Sequence, residues 1–276
     1  MKTRLDALLV ERGLAESRAR AQVLVRAGHV TVSGRREDKP GTLVPADAAV
    51  EVRATERYAS RGAHKLVGAL DAFGISPAGL ACLDVGASTG GFTDALLQRG
   101  ARVVFAVDVG RGQLAWRLRQ DPRVVNLERT DVRALGALPE PAGLAAVDVS
   151  FISLRLVLPP IGALLAARAP VLALVKPQFE AGRGRVGRGG IVRDHGVHRA
   201  VLEHLATWLA DHGWCVLDAA PSPITGAAGN REFWLSLRRQ RDQPDGLQAQ
   251  QILARAFRDR GAGTPDCQRG SAPLAV

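Results

Sequence analysis

From about Leu80 onward, short apolar runs alternate with stretches of helical character, and this alternation limits the possible folds more than any other feature. The runs are Leu80–Val85, Val103–Val107, Leu144–Val149, Val171–Val175 and Cys215–Ala219. Runs this apolar are typical of strands buried on both faces, as in a parallel sheet covered by helices. The sequence therefore predicts an α/β fold built on such a sheet, with the less regular run Glu232–Leu237 as its last strand.

The first 55 residues follow a different pattern and predict a small α+β unit. Leu5, Leu8 and Leu9 recur at helical spacing, and Ser17 is a suitable N-cap for a second helix. The predicted elements are helices over 4–11 and 18–27 and extended segments over 29–32 and 49–52.

These patterns divide the chain into four segments. They are a small domain over 1–55, a linker and the start of the larger domain over 56–79, the larger domain over 80–240, and a tail over 241–276. After Arg238 the sequence is polar and then rich in Gly and Pro, which favours a short helix, Leu247–Phe257, and a partly disordered tail.

The formal net charge of +10, from 37 Lys and Arg against 27 Asp and Glu, indicates a polyanionic partner. Charge alone does not separate RNA, DNA and acidic lipid, and a genome rich in arginine codons would produce part of the same excess. The sequence has neither a run of about 18 apolar residues nor the apolar segment of a secretory signal. Three widely spaced cysteines, Cys82, Cys215 and Cys267, predict neither disulfides nor a zinc cluster. We therefore expect a cytoplasmic protein without a metal.

The second predicted helix places Arg18, Gln22 and Arg26 on one face, which suits a phosphate backbone, although a lone basic face is often merely solvated. The segment around it, RLDALLVERGLAESRARAQVLVRAGHVTVSGRREDKPGTLV, resembles the S-four-type RNA-binding domain. This resemblance implies RNA binding through Arg4, Arg18, Arg20 and Lys39, and Arg26 of the basic face joins them as a candidate.

A Gly-rich segment, LDVGASTGGFT, follows the first apolar run of the larger domain. Gly86, Gly90 and Gly91 permit a tight strand-to-helix turn and close approach of a ligand, and Ser88 lies between them. Such a turn alone is equally suited to a dinucleotide or a phosphate.

Three carboxylates accompany this turn. Asp108 ends the next strand, where an acidic residue accepts hydrogen bonds from ribose hydroxyls. Asp131, in the segment ERTDVR, is expected to end a third strand between the second and third apolar runs, within reach of an adenine amino group. Asp84 lies inside the first strand, where it needs hydrogen-bond donors or a cation. The spacing resembles class I methyltransferases, which implies the cationic donor S-adenosylmethionine; NAD binding or a purely structural turn is the alternative.

Four further polar residues lie at or near predicted strand ends or before the first strand: Lys65, Asp148, Lys176 and Glu232. Each alone is explained by a structural role. Together they match the Lys-Asp-Lys-Glu arrangement of the FtsJ-like ribose 2′-O-methyltransferases. Residues 3–238 as a whole resemble the TlyA (haemolysin A) family within that group, in the segments YASRGAHKL, DVSFISL, VKPQFEAGR and GNREFW. The resemblance implies methylation of cytidine in ribosomal RNA.

The residue types suit that reaction, because a ribose hydroxyl must lose its proton as it attacks the methyl group. Lys176 would orient or deprotonate the hydroxyl, and alignment alone can supply much of the rate. The segment from Glu180 to Asp194 contains Arg183, Arg185 and Arg188 among glycines and would clamp RNA phosphates, unless it is only a mobile surface loop. Two other functions stay open: a non-catalytic RNA-binding or ribosome-assembly factor, and a pore-forming toxin.

Overall fold

A computed structural model describes residues 2–52, 57–226, 228–239 and 246–257. The chain forms two compact units, Met1–Arg57 and Tyr58–Val276. The predicted fold class, an α/β sheet domain with a small α+β unit before it, is confirmed.

The smaller unit combines two helices with short antiparallel strands. Its described elements are β1 (Lys2–Arg4), α1 (Leu5–Glu11), α2 (Arg18–Arg26), β2 (Val30–Val32), β3 (Arg35–Arg36), β4 (Leu43–Pro45) and β5 (Val50–Val52). β1 pairs with β4, and β2 lies between β3 and β5. The Ser17 hydroxyl caps α2 by accepting a hydrogen bond from the Arg20 amide, as predicted. β2 and β5 lie within the two predicted extended segments, whereas β1, β3 and β4 were not predicted.

A buried carboxylate joins the two helices of this unit. The Asp6 side chain in α1 is 0% exposed. It accepts hydrogen bonds from the Arg4 guanidinium at 3.0 and 3.1 Å, from the Gln22 amide at 3.0 Å and from Arg18 at 3.3 Å. The bond from Arg4 outweighs the effect of burial and holds the pKa of Asp6 well below its usual range. Asp6 therefore holds Arg18 and Gln22, two of the three residues of the predicted basic face.

The larger unit alternates strands and helices. Its described elements are α3 (Gly62–Phe73), β6 (Ala81–Val85), α4 (Gly91–Gln98), β7 (Val103–Asp108), α5 (Trp116–Arg119), β8 (Val124–Glu128), β9 (Leu144–Val147), α6 (Leu154–Ala163), β10 (Pro170–Val175), α7 (Pro177–Glu180), α8 (His195–Asp211), β11 (Trp214–Pro221), β12 (Phe233–Arg239) and α9 (Gly246–Arg255).

The described strands of this unit form one seven-stranded sheet in the order β11-β12-β10-β9-β6-β7-β8. The pairs from β10 to β8 are parallel, as expected, and apolar clusters cover both faces. The expectation of a wholly parallel sheet is wrong for β12, which is antiparallel to β10 and β11. No described helix links β11 to β12, and a connection without a crossover favours an antiparallel pair. Phe233 pairs with Val175, so β12 begins where β10 ends.

Two other local expectations are corrected. β8 ends at Glu128, because Arg129 adopts a left-handed conformation with φ of 56°. Asp131 therefore lies beyond the strand and caps a 3₁₀ turn by accepting a hydrogen bond from the Arg133 amide at 2.9 Å. The last helix spans Gly246–Arg255 rather than Leu247–Phe257. The predicted disordered tail after residue 257 lies outside the described residues. No helix in the described ranges is long and apolar enough to cross a membrane.

Removing the buried carboxylate of the smaller unit tests its role in holding the arginines. Asp6→Ala should lower the free energy of unfolding by about 1–3 kcal/mol, because hydrogen bonds to a charged group are lost. It should also weaken RNA binding, since Arg4 and Arg18 lose their common partner. Denaturant unfolding and RNA binding at two salt concentrations measure these effects. Asp47→Ala removes an exposed carboxylate from the same unit and is the control; equal behaviour of the two variants would contradict the prediction.

Candidate active site

The Gly-rich turn joins β6 to α4 by a backbone that most residues adopt with strain. Gly86 and Gly90 have φ of 87° and 92°, and Ser88 has φ of 47°. A Cβ on Gly86 would overlap the carbonyl oxygen of Asp148. Glycine at position 86 therefore lets the turn lie directly against the end of β9.

A cavity of about 640 Å³ opens beside this turn. Among the residues lining it are Gly86, Ser88, Asp108, Asp131, Ser150 and Phe151. Four of the seven predicted cofactor-binding residues thus line one cavity. The other three, Asp84, Gly90 and Gly91, are not among its lining residues. A Cβ on Gly90 would overlap Leu118, and one on Gly91 would overlap the Ser60 hydroxyl.

Asp108 lines this cavity and is held in place by two backbone amides. Its two carboxylate oxygens accept hydrogen bonds from the backbone amides of Ser88 at 2.8 Å and Gly110 at 2.7 Å. Each oxygen has a second lone pair, so the carboxylate can also accept from hydroxyl groups of a ligand. Asp131 lies at the same cavity but pairs with Arg133 at 2.6 Å, and this hydrogen bond lowers the pKa of Asp131.

Asp84 is fully buried in β6. Its Oδ2 accepts a hydrogen bond from the Thr93 hydroxyl at 2.6 Å, whereas its Oδ1 is buried without a hydrogen-bond partner among the described residues. Burial, reinforced by the negative charges of Asp148 and Asp108, raises the pKa of Asp84 to about 7, although the hydrogen bonds from Thr93 oppose the shift. A positive charge placed nearby would favour its ionised form.

The four polar residues predicted near strand ends form two ion pairs. Lys65 Nζ, on the first turn of α3, lies 2.6 Å from Glu232 Oε2. Lys176 Nζ lies 2.5 Å from Asp148 Oδ1 and donates to the Ser150 hydroxyl at 2.9 Å. The lysine side chains are each 11% exposed, so both pairs are largely removed from solvent.

A second cavity, of about 400 Å³, contains three of these four residues. Lys65, Lys176 and Glu232 line it together with Asn230, Phe151 and Phe179. Asp148, the fourth, lines the first cavity. Ser150 and Phe151 line both cavities, so the two spaces adjoin at these residues.

The sequence did not single out several residues of the site. Phe151 has φ of 64°, is 91% exposed and contacts Phe179 with ring centroids 5.0 Å apart. Gly226 lies so close to Glu232 that a Cβ would overlap the carboxylate. Phe151 lay within a segment that resembled the family, but sequence alone does not separate an exposed phenylalanine from a core residue.

The basic segment after α7 forms two 3₁₀ turns, Arg183–Arg185 and Arg188–Gly190. Arg185 and Arg188 are exposed, and the side chain of Arg183 lies outside the described residues. Val186, Gly189 and Gly190 of this segment line the second cavity.

In the smaller unit, all five predicted RNA-binding residues are exposed: Arg4, Arg18, Arg20, Arg26 and Lys39. Arg4 and Arg18 are the two that contact Asp6, and a Cβ on Gly41 would stand 3.1 Å from the Arg4 guanidinium. Across the described parts of the chain, no group of three or more His, Cys, Asp or Glu residues could hold a metal ion.

Known proteins resemble this chain in sequence and in fold. The profile of the FtsJ-like methyltransferases matches residues 58–239, and that of the S4 domain matches residues 3–50. The 16S/23S rRNA (cytidine-2′-O)-methyltransferase TlyA of Mycobacterium tuberculosis is 50% identical over 88% of this chain and 92% of its own length. Bacillus subtilis YqxC, a candidate rRNA methyltransferase, is 50% identical over 86% of this chain and 85% of its own. A candidate hemolysin structure from Streptococcus thermophilus is 42% identical, with a TM-score of 0.69 over 92% of this chain and 94% of its own.

Both the methyltransferase profile, which matches about two thirds of the chain, and the nearly full-length relatives agree with the expected resemblance. The chain belongs to the TlyA family of FtsJ-like methyltransferases.

Proposed function

We propose that this protein transfers a methyl group from S-adenosylmethionine to the ribose 2′-hydroxyl of a cytidine in ribosomal RNA. The observation that supports this most is the junction of the two cavities at Ser150 and Phe151, with a Gly-rich turn beside one and two lysine–carboxylate pairs around the junction. A methyl donor and a nucleotide acceptor bound in adjoining spaces would have their reacting atoms near each other.

The first cavity fits the donor. Asp108, already oriented by two backbone amides, would accept hydrogen bonds from the ribose hydroxyls of the donor. Asp131 lines the same cavity and would accept a hydrogen bond from the adenine amino group. For this, Arg133 would release one of the two Asp131 carboxylate oxygens. The cavity is lined by carboxylates, among them Asp108 and Asp148, whose charges act on buried Asp84. Asp84 also has an oxygen without a hydrogen-bond partner, and this set of carboxylates suits a cation better than a pyrophosphate. When bound, S-adenosylmethionine supplies a methyl group already activated on a positively charged sulfur.

Lys176 would act on the acceptor hydroxyl. Asp148 and Ser150 fix its amine at the end of β10, so the amine can orient the hydroxyl by a hydrogen bond. As the hydroxyl oxygen attacks, its proton would pass to a neutral Lys176 amine, and Asp148 would hold the ammonium that forms. Glu232 holds Lys65 in the same cavity, and the Lys65 ammonium would stabilise negative charge that develops on the oxygen.

The acceptor side fits an unstacked nucleotide. Phe151, backed by Phe179, offers an exposed aromatic face at the junction of the cavities, on which a base displaced from its stack can pack. Exposed arginines of the segment 182–194 and of the smaller unit would bind the phosphate backbone. The cytidine and ribosomal RNA are proposed because the M. tuberculosis relative is named for them. We place the reaction in the cytoplasm.

The burial of Asp84 predicts an unusual dependence of stability on pH. The folded protein retains the Asp84 proton up to a pKa of about 7, whereas an unfolded aspartate loses it near pH 4. Between these values the folded state binds more protons than the unfolded state, so this group lowers stability as pH rises. The free energy of unfolding of Asp84→Asn, relative to that of the wild type, should therefore rise by on the order of 1 kcal/mol per pH unit across that window.

Denaturant unfolding of both proteins from pH 4.5 to 7.5 measures this difference. Asp211→Asn, at an exposed position on α8, is the control. Its free energy of unfolding should change with pH in parallel with that of the wild type. If the Asp84→Asn curve also runs parallel, the carboxyl does not titrate as described.

Replacing Lys176 tests the proposed mechanism. Lys176→Ala should reduce methyl transfer about 100-fold or more, the range for losing a positioned acid–base or electrostatic group. Donor affinity should be retained, because Lys176 lines the second cavity and not the first. Lys176→Arg should not restore the rate, since a guanidinium stays protonated and has a different shape.

Rates would be measured with saturating donor and ribosomal subunits, with melting curves to verify folding. Near wild-type turnover by a folded Lys176→Ala protein would remove this lysine from the mechanism. The same assay on the wild type separates the enzyme from a non-catalytic RNA-binding or assembly factor, which would transfer no methyl group.

A further inference from the structure

Asn230 makes an unusual set of contacts two residues before Glu232. It is a buried polar residue, 2% exposed, although it lies in a connection between two strands. Its Oδ1 accepts a hydrogen bond from the Val192 amide at 2.9 Å, and its Nδ2 donates to the Gly190 carbonyl at 2.9 Å. One side chain thus satisfies two backbone groups of the basic segment, about 40 residues away in the sequence.

The segment that Asn230 holds is rich in glycine and has no long helix or strand among its described residues. Residues 182–194 include Gly182, Gly189 and Gly190, all with positive φ, and short 3₁₀ turns in place of a longer helix. Beyond Gly190, the Val192 carbonyl contacts the ring of buried His198 at 3.0 Å. The backbone hydrogen bonds from Arg185 to Gly182, from Gly190 to Gly187 and from Gly187 to Ile191 are all local. The Asn230 amide, in contrast, ties Gly190 and Val192 to a distant part of the chain.

The same asparagine belongs to the wall of the active site. Asn230 lines the second cavity with Lys65, Lys176 and Glu232, and Gly189 and Gly190 line it from the segment side. The Asn230 carbonyl also accepts a hydrogen bond from the Gly226 amide at 2.9 Å, which closes the turn that brings Gly226 against Glu232. The residue whose side chain anchors the basic segment therefore also holds, through its backbone carbonyl, the turn next to Glu232.

We propose that Asn230 is a positioning residue that holds the arginine-containing segment 182–194 against the acceptor cavity, so that the segment binds RNA with its shape already fixed. This rests on the proposed RNA substrate. With the segment fixed before binding, less conformational entropy is lost when phosphates contact Arg185 and Arg188. Loss of Asn230 should therefore affect the binding of RNA more than the chemical step.

The test measures kinetics on the full chain. Asn230→Ala should raise the KM for ribosomal subunits about tenfold, the size expected for losing well-placed hydrogen bonds, while kcat changes by less than about threefold. Donor affinity should stay unchanged. Ser236→Ala removes another buried polar side chain, from β12 and away from the segment, and should leave both constants unchanged. In a protein already carrying Arg185→Ala and Arg188→Ala, the Asn230 substitution should add little to KM.

Limited trypsin digestion gives a measure that does not depend on activity. In Asn230→Ala, cleavage after Arg185 and Arg188 should become at least several-fold faster, with no such change in Ser236→Ala. Asn230→Asp keeps the size of the side chain and the acceptor toward Val192 but loses the donor toward Gly190. It should show the same trends and replaces the alanine variant if that one does not fold.

The outcomes separate the two proposals. Unchanged cleavage, or a fall in kcat with unchanged KM, would overturn the role of Asn230. If Asn230→Ala is cleaved faster but the wild type methylates no RNA, the faster cleavage supports the link between Asn230 and the segment. The absence of methylation then refutes the proposed function.

Discussion

The parallel pairing of β10, β9, β6 and β7 determines where the polar side chains of the site lie. Parallel strands end at one edge of a sheet. Asp108, the last residue of β7, therefore lies at the same edge as the Gly-rich turn, together with Asp148 and Lys176, which directly follow β9 and β10. Gly86 then permits direct contact between the turn and the end of β9. The strands are almost wholly apolar, so the sheet is stabilised by burial on both faces and leaves its edge for chemistry.

The antiparallel strand β12 completes this arrangement. Glu232 precedes its strand, whereas Asp148 and Lys176 follow theirs, and only reversal of the strand brings the start of β12 to the end of β10. Glu232 then pairs with Lys65 of α3. Both lysines are nearly buried, and a buried charge requires a partner, so each carboxylate serves folding as well as the site.

Much of the fold was predictable from the sequence wherever an apolar pattern is long or a residue marks the start of a helix or a turn. The five apolar runs predicted five of the seven strands of the sheet, Ser17 predicted a helix start, and the glycines located the turn. Resemblance, not periodicity, brought Lys65 and Glu232 into one set, because nothing local indicates that α3 and β12 meet. The reversal of β12, the early end of β8 and the roles of Phe151 and Asn230 depend on contacts between distant segments. Periodicity contains no information on such contacts.

The most direct test of this account is to identify the atom that receives the methyl group. The wild-type protein would be incubated with ribosomal subunits and tritiated S-adenosylmethionine, and the labelled RNA digested to nucleosides after alkaline hydrolysis. A 2′-O-methyl group blocks alkaline cleavage at its own nucleotide, because the attacking hydroxyl is lost. We predict label in an alkali-resistant dinucleotide that yields 2′-O-methylcytidine. Label on a base, or no label in RNA from intact subunits, would contradict the assignment of the two cavities to a methyl donor and a ribose acceptor.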